Sequence, residues 1–142
     1  MAVQAPAIVA AGGITRPDAI SVSPRAEPSP PGVQHDITLD QIRTYVRDET
    51  AILMDVRSPE DFARGHVRRA VNLPAGSEKQ MDGYLALIRP SIASDQLIIL
   101  YCYGPKCGSG DMVSEYLADQ GFTDLRVYSP GWPTLASAED LQ

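Results

Sequence analysis

The 142-residue chain has two cysteines, and they lie in one short run, Cys102-Tyr103-Gly104-Pro105-Lys106-Cys107-Gly108. The run follows Leu97-Ile98-Ile99-Leu100-Tyr101, the strongest strand signal present, and precedes a helical pattern that begins near Ser109 with Met112, Val113, Tyr116 and Leu117 inward. A strand, a tight loop and a helix start aim backbone N–H groups and the positive end of the helix dipole at whatever anion sits in the loop. A Cys102 thiolate suits such a cradle, with Lys106 as the nearby positive charge and glycines that allow close backbone approach. Cys107 has two readings: a spacer in the loop, or a resolving thiol that closes a disulfide with Cys102. A zinc site is disfavoured, because His35 and His66 are distant from the cysteines in sequence and the usual ligand set is missing.

The loop needs a scaffold, and helical and strand signals alternate around it. Thr38-Leu39-Asp40-Gln41 has capping-box spacing, and Leu39, Ile42 and Val46 recur at helical intervals, which predicts a helix to about Asp48. Ala51 to Val56 is a short apolar run of the kind buried on both faces of a parallel sheet. Ser58-Pro59-Glu60-Asp61 supplies an N-cap, a proline at the first helical position and first-turn acids, with Gly65 as a stop. A brief strand is expected at Ala70–Leu73, a helix from near Ser77 that cannot pass Pro90, a last strand at Leu125–Tyr128 and a short helix opened by Trp132. This alternation predicts an α/β fold, an open and mainly parallel sheet with helices on both faces. Ligands of such sheets bind at the carboxyl ends of strands, where Cys102 stands.

Composition narrows the function further. Six of the 12 prolines lie within the first 31 residues, and the first aromatic side chain is Tyr45. Residues 1–35 are therefore expected to be a flexible Ala/Pro/Ser-rich arm, and residues 36–142 the folded domain. The formal net charge of -6 argues against nucleic acid as a partner. Two cysteines are too few for a disulfide scaffold. No apolar run approaches the ~18 residues of a membrane helix, so the expected setting is cytoplasmic, with an exported or membrane-tethered parent as the alternative.

Asp55-Val56-Arg57-Ser58-Pro59-Glu60-Asp61-Phe62, Gly65-His66-Val67 and Ala70-Val71-Asn72-Leu73-Pro74 together resemble the first signature of the rhodanese family. Tyr101-Cys102, the loop helix ending at Gly121-Phe122, Val127-Tyr128 and Gly131-Trp132 resemble its second half, in the family's order. The resemblance implies a rhodanese-like single-domain sulfurtransferase with no metal and no organic cofactor. By it, Cys102 takes the outer sulfur of a donor such as thiosulfate, holds it as a persulfide, and passes it to a thiol or cyanide acceptor or to an acceptor protein. Asp55 and Arg57 join a hydrogen-bond network that supports the loop, with a solvated ion pair as the other reading of Arg57, and His66 packs or caps.

Departures from the family pattern carry information too. The loop is longer than in many single-domain members and lacks the arginine that receives the donor's anionic end, so Lys106 stands in as a point charge without a planar fork. Phosphatases of this fold place an arginine where this chain has Gly108, which argues against phosphatase chemistry. Arg64, Arg68 and Arg69 are read as a solvated basic face, and Arg69 and Pro130 as replacements at the pocket rim. Two other functions fit the same residues: a thiol redox protein using Cys102 and Cys107, and a non-catalytic binding module.

Overall fold

The computed structural model describes residues 34–142, so all but the last two residues of the expected arm lie outside the described residues. Four strands form one sheet: β1 (Ile52–Asp55), β2 (Val71–Asn72), β3 (Leu97–Tyr101) and β4 (Asp124–Tyr128). They run in the order β2-β1-β3-β4 with every pairing parallel. Among the described residues five α-helices cover it: α1 (Leu39–Asp48), α2 (Pro59–Arg64), α3 (Glu78–Ile88), α4 (Ser109–Asp119) and α5 (Trp132–Ser137). The sequence expectation of an α/β parallel sheet is met. Among the described residues no helix is long and apolar enough to cross a membrane.

Local signals act where they stand. The Thr38 hydroxyl accepts from Gln41 N–H at 3.1 Å while the Gln41 side chain accepts from Thr38 N–H at 2.7 Å, a complete capping box. Ser58 caps α2 through Asp61 N–H, with Pro59 at the first helical position. Ser77 and Gln80 form a second capping box at the start of α3. That helix ends at Ile88, and Pro90 falls in a following 3₁₀ turn (Arg89–Ser91). The brief strand is shorter than Ala70–Leu73, because Ala70 N–H turns back to Val67 C=O at 2.8 Å.

Strand β3 shows why a continuous apolar run is needed at the centre of such a sheet. Ile98 and Leu100 join a core with Met81 and Leu85 of α3 and with Val113 and Leu117 of α4. Leu97, Ile99 and Tyr101 face the other way, against Ile42 and Val46 of α1 and Leu135 of α5. Each fully buried aliphatic side chain contributes about 1.5–3 kcal/mol by leaving water. The alternation continues past the strand end, so Cys102 points to the α3/α4 side and Tyr101 to the opposite one.

The core also holds a titrating group. The Tyr116 hydroxyl of α4 donates to the Asp82 carboxylate of α3, and burial first, with Asp82 adding, pushes the phenol up to about 12. An unfolded tyrosine titrates near about 10. The folded value is the higher one, so this contribution is complete below the unfolded value and is lost as pH rises through about 12. Melting temperatures measured across that alkaline window are expected to fall more steeply for the native protein than for Tyr116→Phe; parallel slopes would refute the linkage.

Candidate functional site

The strand order reverses direction between β1 and β3, and both strands deliver chemistry-bearing residues at that point. One rung of the sheet carries Asn72, Asp55, Tyr101 and Tyr128 side by side. Cys102 follows Tyr101 and is buried, 5% exposed.

The loop beyond Cys102 is a built turn. Pro105 and Lys106 occupy its centre, and Cys107 N–H donates to Gly104 C=O at 3.1 Å, closing a four-residue β-turn with proline in its favoured second position. The turn brings Cys107 back over the strand end, where it forms a disulfide with Cys102 across a Cα–Cα distance of 6.3 Å. In the structure, then, Cys107 is bonded to Cys102 and not free. The picture of loop amides converging on a free thiolate needs two corrections. Cys107 N–H is committed to Gly104 C=O, and the Cys102 sulfur is bonded to a second sulfur. Helix α4 begins two residues after Cys107 without a side-chain cap.

The expected reason for the loop glycines also changes. A Cβ added at Gly104 or Gly108 would meet open space, so neither is required for close approach in this conformation. The glycine that the loop does require is Gly131, at the start of α5. Its backbone sits at φ 76° and ψ -162°. A Cβ there would stand 2.7 Å from Gly104 N and 2.8 Å from Cys102 O. That close packing lets Trp132 N–H donate to Cys102 C=O at 2.8 Å, tying α5 to the site.

Asp55 and Arg57 are fully interior, at 0% and 4% exposed, which rules out a solvated ion pair. Arg57 Nε lies 3.0 and 3.1 Å from the two Asp55 oxygens and an Nη donates at 2.7 Å; a further bond at 2.7 Å goes to Gly65 C=O. Burial alone would lower the guanidinium pKa, and the Asp55 hydrogen bonds and charge more than reverse it. The guanidinium lies 4.4 Å from the Trp132 ring centroid and 5.9 Å from those of Tyr101 and Tyr103. The pair therefore reaches the loop through the Tyr103 ring. The Tyr103 hydroxyl in turn donates to Asp61 in α2, which holds that carboxyl below the usual carboxylate range.

A small pocket of about 40 Å³ adjoins the disulfide, lined by Cys102, Gly104, Pro105, Cys107, Gly110 and Val127 together with His35, Asp111, Tyr128 and Ser129. His35 Nε2 lies 2.5 Å from Asp111 Oδ1. His35 was expected to be remote from the cysteines and to belong to the arm. Instead, the parallel bridge of Gln34 with Arg126 carries it to the pocket, with Val127 N–H donating to Gln34 C=O at 2.8 Å. No spacing rule would have found it, since the connection is made by the sheet edge.

The remaining residues separate from the site. Lys106 is exposed at the turn. Arg64 pairs with Asp61, Arg68 donates to Asp140 C=O and Arg69 pairs with Glu49. Arg69 is not at the rim of the cysteine pocket: it lines a cavity of about 190 Å³ near Ile52, at the amino end of β1. His66 stacks on Phe62 with its Nδ1 2.8 Å from Phe62 C=O, so that nitrogen carries the proton and the ring packs.

The sequence matches the Rhodanese-like domain family over residues 38–138. It is similar to thiosulfate sulfurtransferase GlpE of Pseudoalteromonas translucida, 30% identical over 102 residues that cover 72% of this chain and 89% of that enzyme. It is 28% identical over 132 residues to the tRNA uridine(34) hydroxylase of Listeria welshimeri, where the match takes in 85% of this chain and spans only 40% of that longer protein. The human single-domain sulfurtransferase TSTD1 shares the fold, with a TM-score of 0.60 at 22% identity, over 78% of this chain and 99% of its own.

Proposed function

Because this chain belongs to the rhodanese-like domain family, we propose that it is a sulfurtransferase that carries sulfane sulfur on Cys102, with thiosulfate as donor and a thiol or cyanide as acceptor. The observation that carries this reading is the position of Cys102: it leaves the carboxyl end of the central strand at the point where the strand order reverses, ahead of the α4 amino terminus. The Cys102–Cys107 bond must first be reduced, which a thiol-rich cytoplasm provides. The freed Cys102 thiolate then attacks the outer sulfur of thiosulfate. The sulfur–sulfur bond of the donor breaks, sulfite leaves, and Cys102 holds a persulfide. An acceptor thiolate, or cyanide, attacks the outer sulfur of that persulfide and returns Cys102 as thiolate. Lys106 at the exposed turn and the α4 amino terminus supply the positive charge that an anionic donor meets. The acceptor is a small thiol or a thiol on another protein.

Intact mass of the reduced, desalted Cys107→Ser protein after incubation with thiosulfate tests this. The expected result is a gain of one sulfur atom, reversed by dithiothreitol and lost in Cys102→Ser/Cys107→Ser. An unloaded single variant whose Cys102 still alkylates would overturn it. The disulfide supports a second reading, a dithiol redox protein on the same fold, in which the pair cycles between thiols and disulfide without carrying sulfur. Failure of that loading with full reversibility of the disulfide in a thiol buffer would favour it.

A further inference from the structure

The sulfur-carrier reading uses one cysteine, yet the fold positions two. Cys102 is held at the end of a buried strand, and its carbonyl is fixed by Trp132 N–H at 2.8 Å. Cys107 is held by the Gly104–Cys107 turn on one side and by α4, which starts two residues later, on the other. Pro105 pre-sets the turn that returns Cys107 to the strand end, and Gly131 packs the strand end from below. The two sulfurs are within bonding reach without any movement of the surrounding elements, because they are bonded in the structure. Such preorganisation makes attack of one sulfur on the other an intramolecular step with a high effective concentration.

We infer that Cys107 is a resolving thiol that attacks Cys102 in its loaded state and releases the carried sulfur as hydrosulfide, giving the protein a second activity as a reductive outlet for sulfane sulfur. The inference rests on the persulfide reading of Cys102. The Cys107 thiolate attacks the inner sulfur, Cys102 Sγ. The bond between Sγ and the outer sulfur breaks, its electron pair leaves with the outer sulfur as HS⁻, and Cys102–Cys107 closes as the observed disulfide. One sulfane sulfur is reduced to sulfide while two thiols are oxidised to a disulfide. With thiosulfate as donor, the complete turn consumes one thiosulfate and two cysteine thiols and yields sulfite, hydrogen sulfide and the disulfide. A dithiol reductant of the thioredoxin or dithiothreitol class restores the cysteines.

An external acceptor attacks the outer sulfur, whereas Cys107 attacks the inner one, so the two routes compete for the same persulfide and differ in product. The pocket beside the disulfide fits the outlet. Its roughly 40 Å³ exceeds what one water-sized species needs, and it is bordered by both cysteines and by Gly104 and Pro105 of the turn.

The test uses the full chain, reduced and freed of reductant, in two donor arms. With thiosulfate, the native protein is expected to release about one equivalent of sulfide, read as its bimane adduct, and to lose two hydrogen atoms by intact mass as the disulfide closes. Cys107→Ser and Cys107→Ala are expected to keep the added sulfur and to release sulfide roughly a hundredfold more slowly. With inorganic polysulfide, read by protein mass alone, the native protein should again end as the disulfide and both variants as the persulfide. Retention of the added sulfur by the native protein as long as by the variants overturns the inference and leaves the carrier reading standing. Loading of the variants by polysulfide but not by thiosulfate, with the native protein ending as disulfide, supports the inference and removes thiosulfate as donor. No added sulfur on either variant from either donor, with circular dichroism showing both folded, overturns inference and carrier reading together.

Discussion

Gly131→Ala is expected to cost on the order of 3 kcal/mol of stability and to slow sulfur loading together with it. Two independent effects add. The backbone at φ 76° and ψ -162° belongs to a region that residues with a Cβ scarcely enter. The new methyl would also stand 2.7 Å from Gly104 N and 2.8 Å from Cys102 O, both main-chain atoms that cannot rotate away. Relief requires α5 to lift from the loop, which breaks the Trp132 N–H to Cys102 C=O bond and shifts Cys102 itself. Urea denaturation gives the stability change, and intact mass after thiosulfate gives the loading rate. A variant within about 1 kcal/mol of native that loads at the native rate would show that the contact is not limiting.

Arg57→Met is expected to cost more, about 3–5 kcal/mol, because it strands the Asp55 carboxylate in the interior. A domain of this size is stable by about 5–15 kcal/mol, so the loss approaches unfolding. Arg57→Lys should rescue little: an ammonium offers neither the two-point contact with Asp55 nor a planar face to Trp132. Removing both charges in Asp55→Asn/Arg57→Met should cost less than the single Arg57→Met, since no unpaired charge is left. Denaturation of these three variants and of Asp55→Asn alone decides it. A double variant as unstable as the sum of its single changes would contradict a paired, desolvated bridge.

The fold was legible where one residue type serves both local and tertiary needs. Leu97–Tyr101 is apolar on both faces because both faces are covered, so a strand and its central place read from the same run. The capping box at Thr38 and the Ser58-Pro59 start were legible because those bonds close within one turn. Cys102 and its loop were legible through spacing and family resemblance. The parts that were not legible depend on contacts between distant segments. His35 reaches the cysteine pocket only because Gln34 adds to the edge of β4, and nothing near His35 in sequence announces that. Gly131 looks like an ordinary helix start until the loop it must clear is placed against it. The loop glycines misled for the converse reason: their local pattern suggested close approach, but Gly104 and Gly108 face open space. Arg57 was legible as a partner of Asp55, whereas its burial under Trp132 required α5 in place.

The two cysteines also sit on parts of the molecule that open at different depths. Cys102 follows a strand whose five residues are all buried and hydrogen-bonded on both sides, so amide exchange there reports global unfolding. Cys107 rides on a half-exposed turn and an uncapped helix start, which open by local fraying. When their bond is cut, the strand sulfur therefore stays in register, and the Gly104–Cys107 turn keeps the other sulfur beside it except when that end frays. The loop works as a one-armed latch, and its hinge side, Gly104 to Gly108, is where reduction should raise deuterium uptake first.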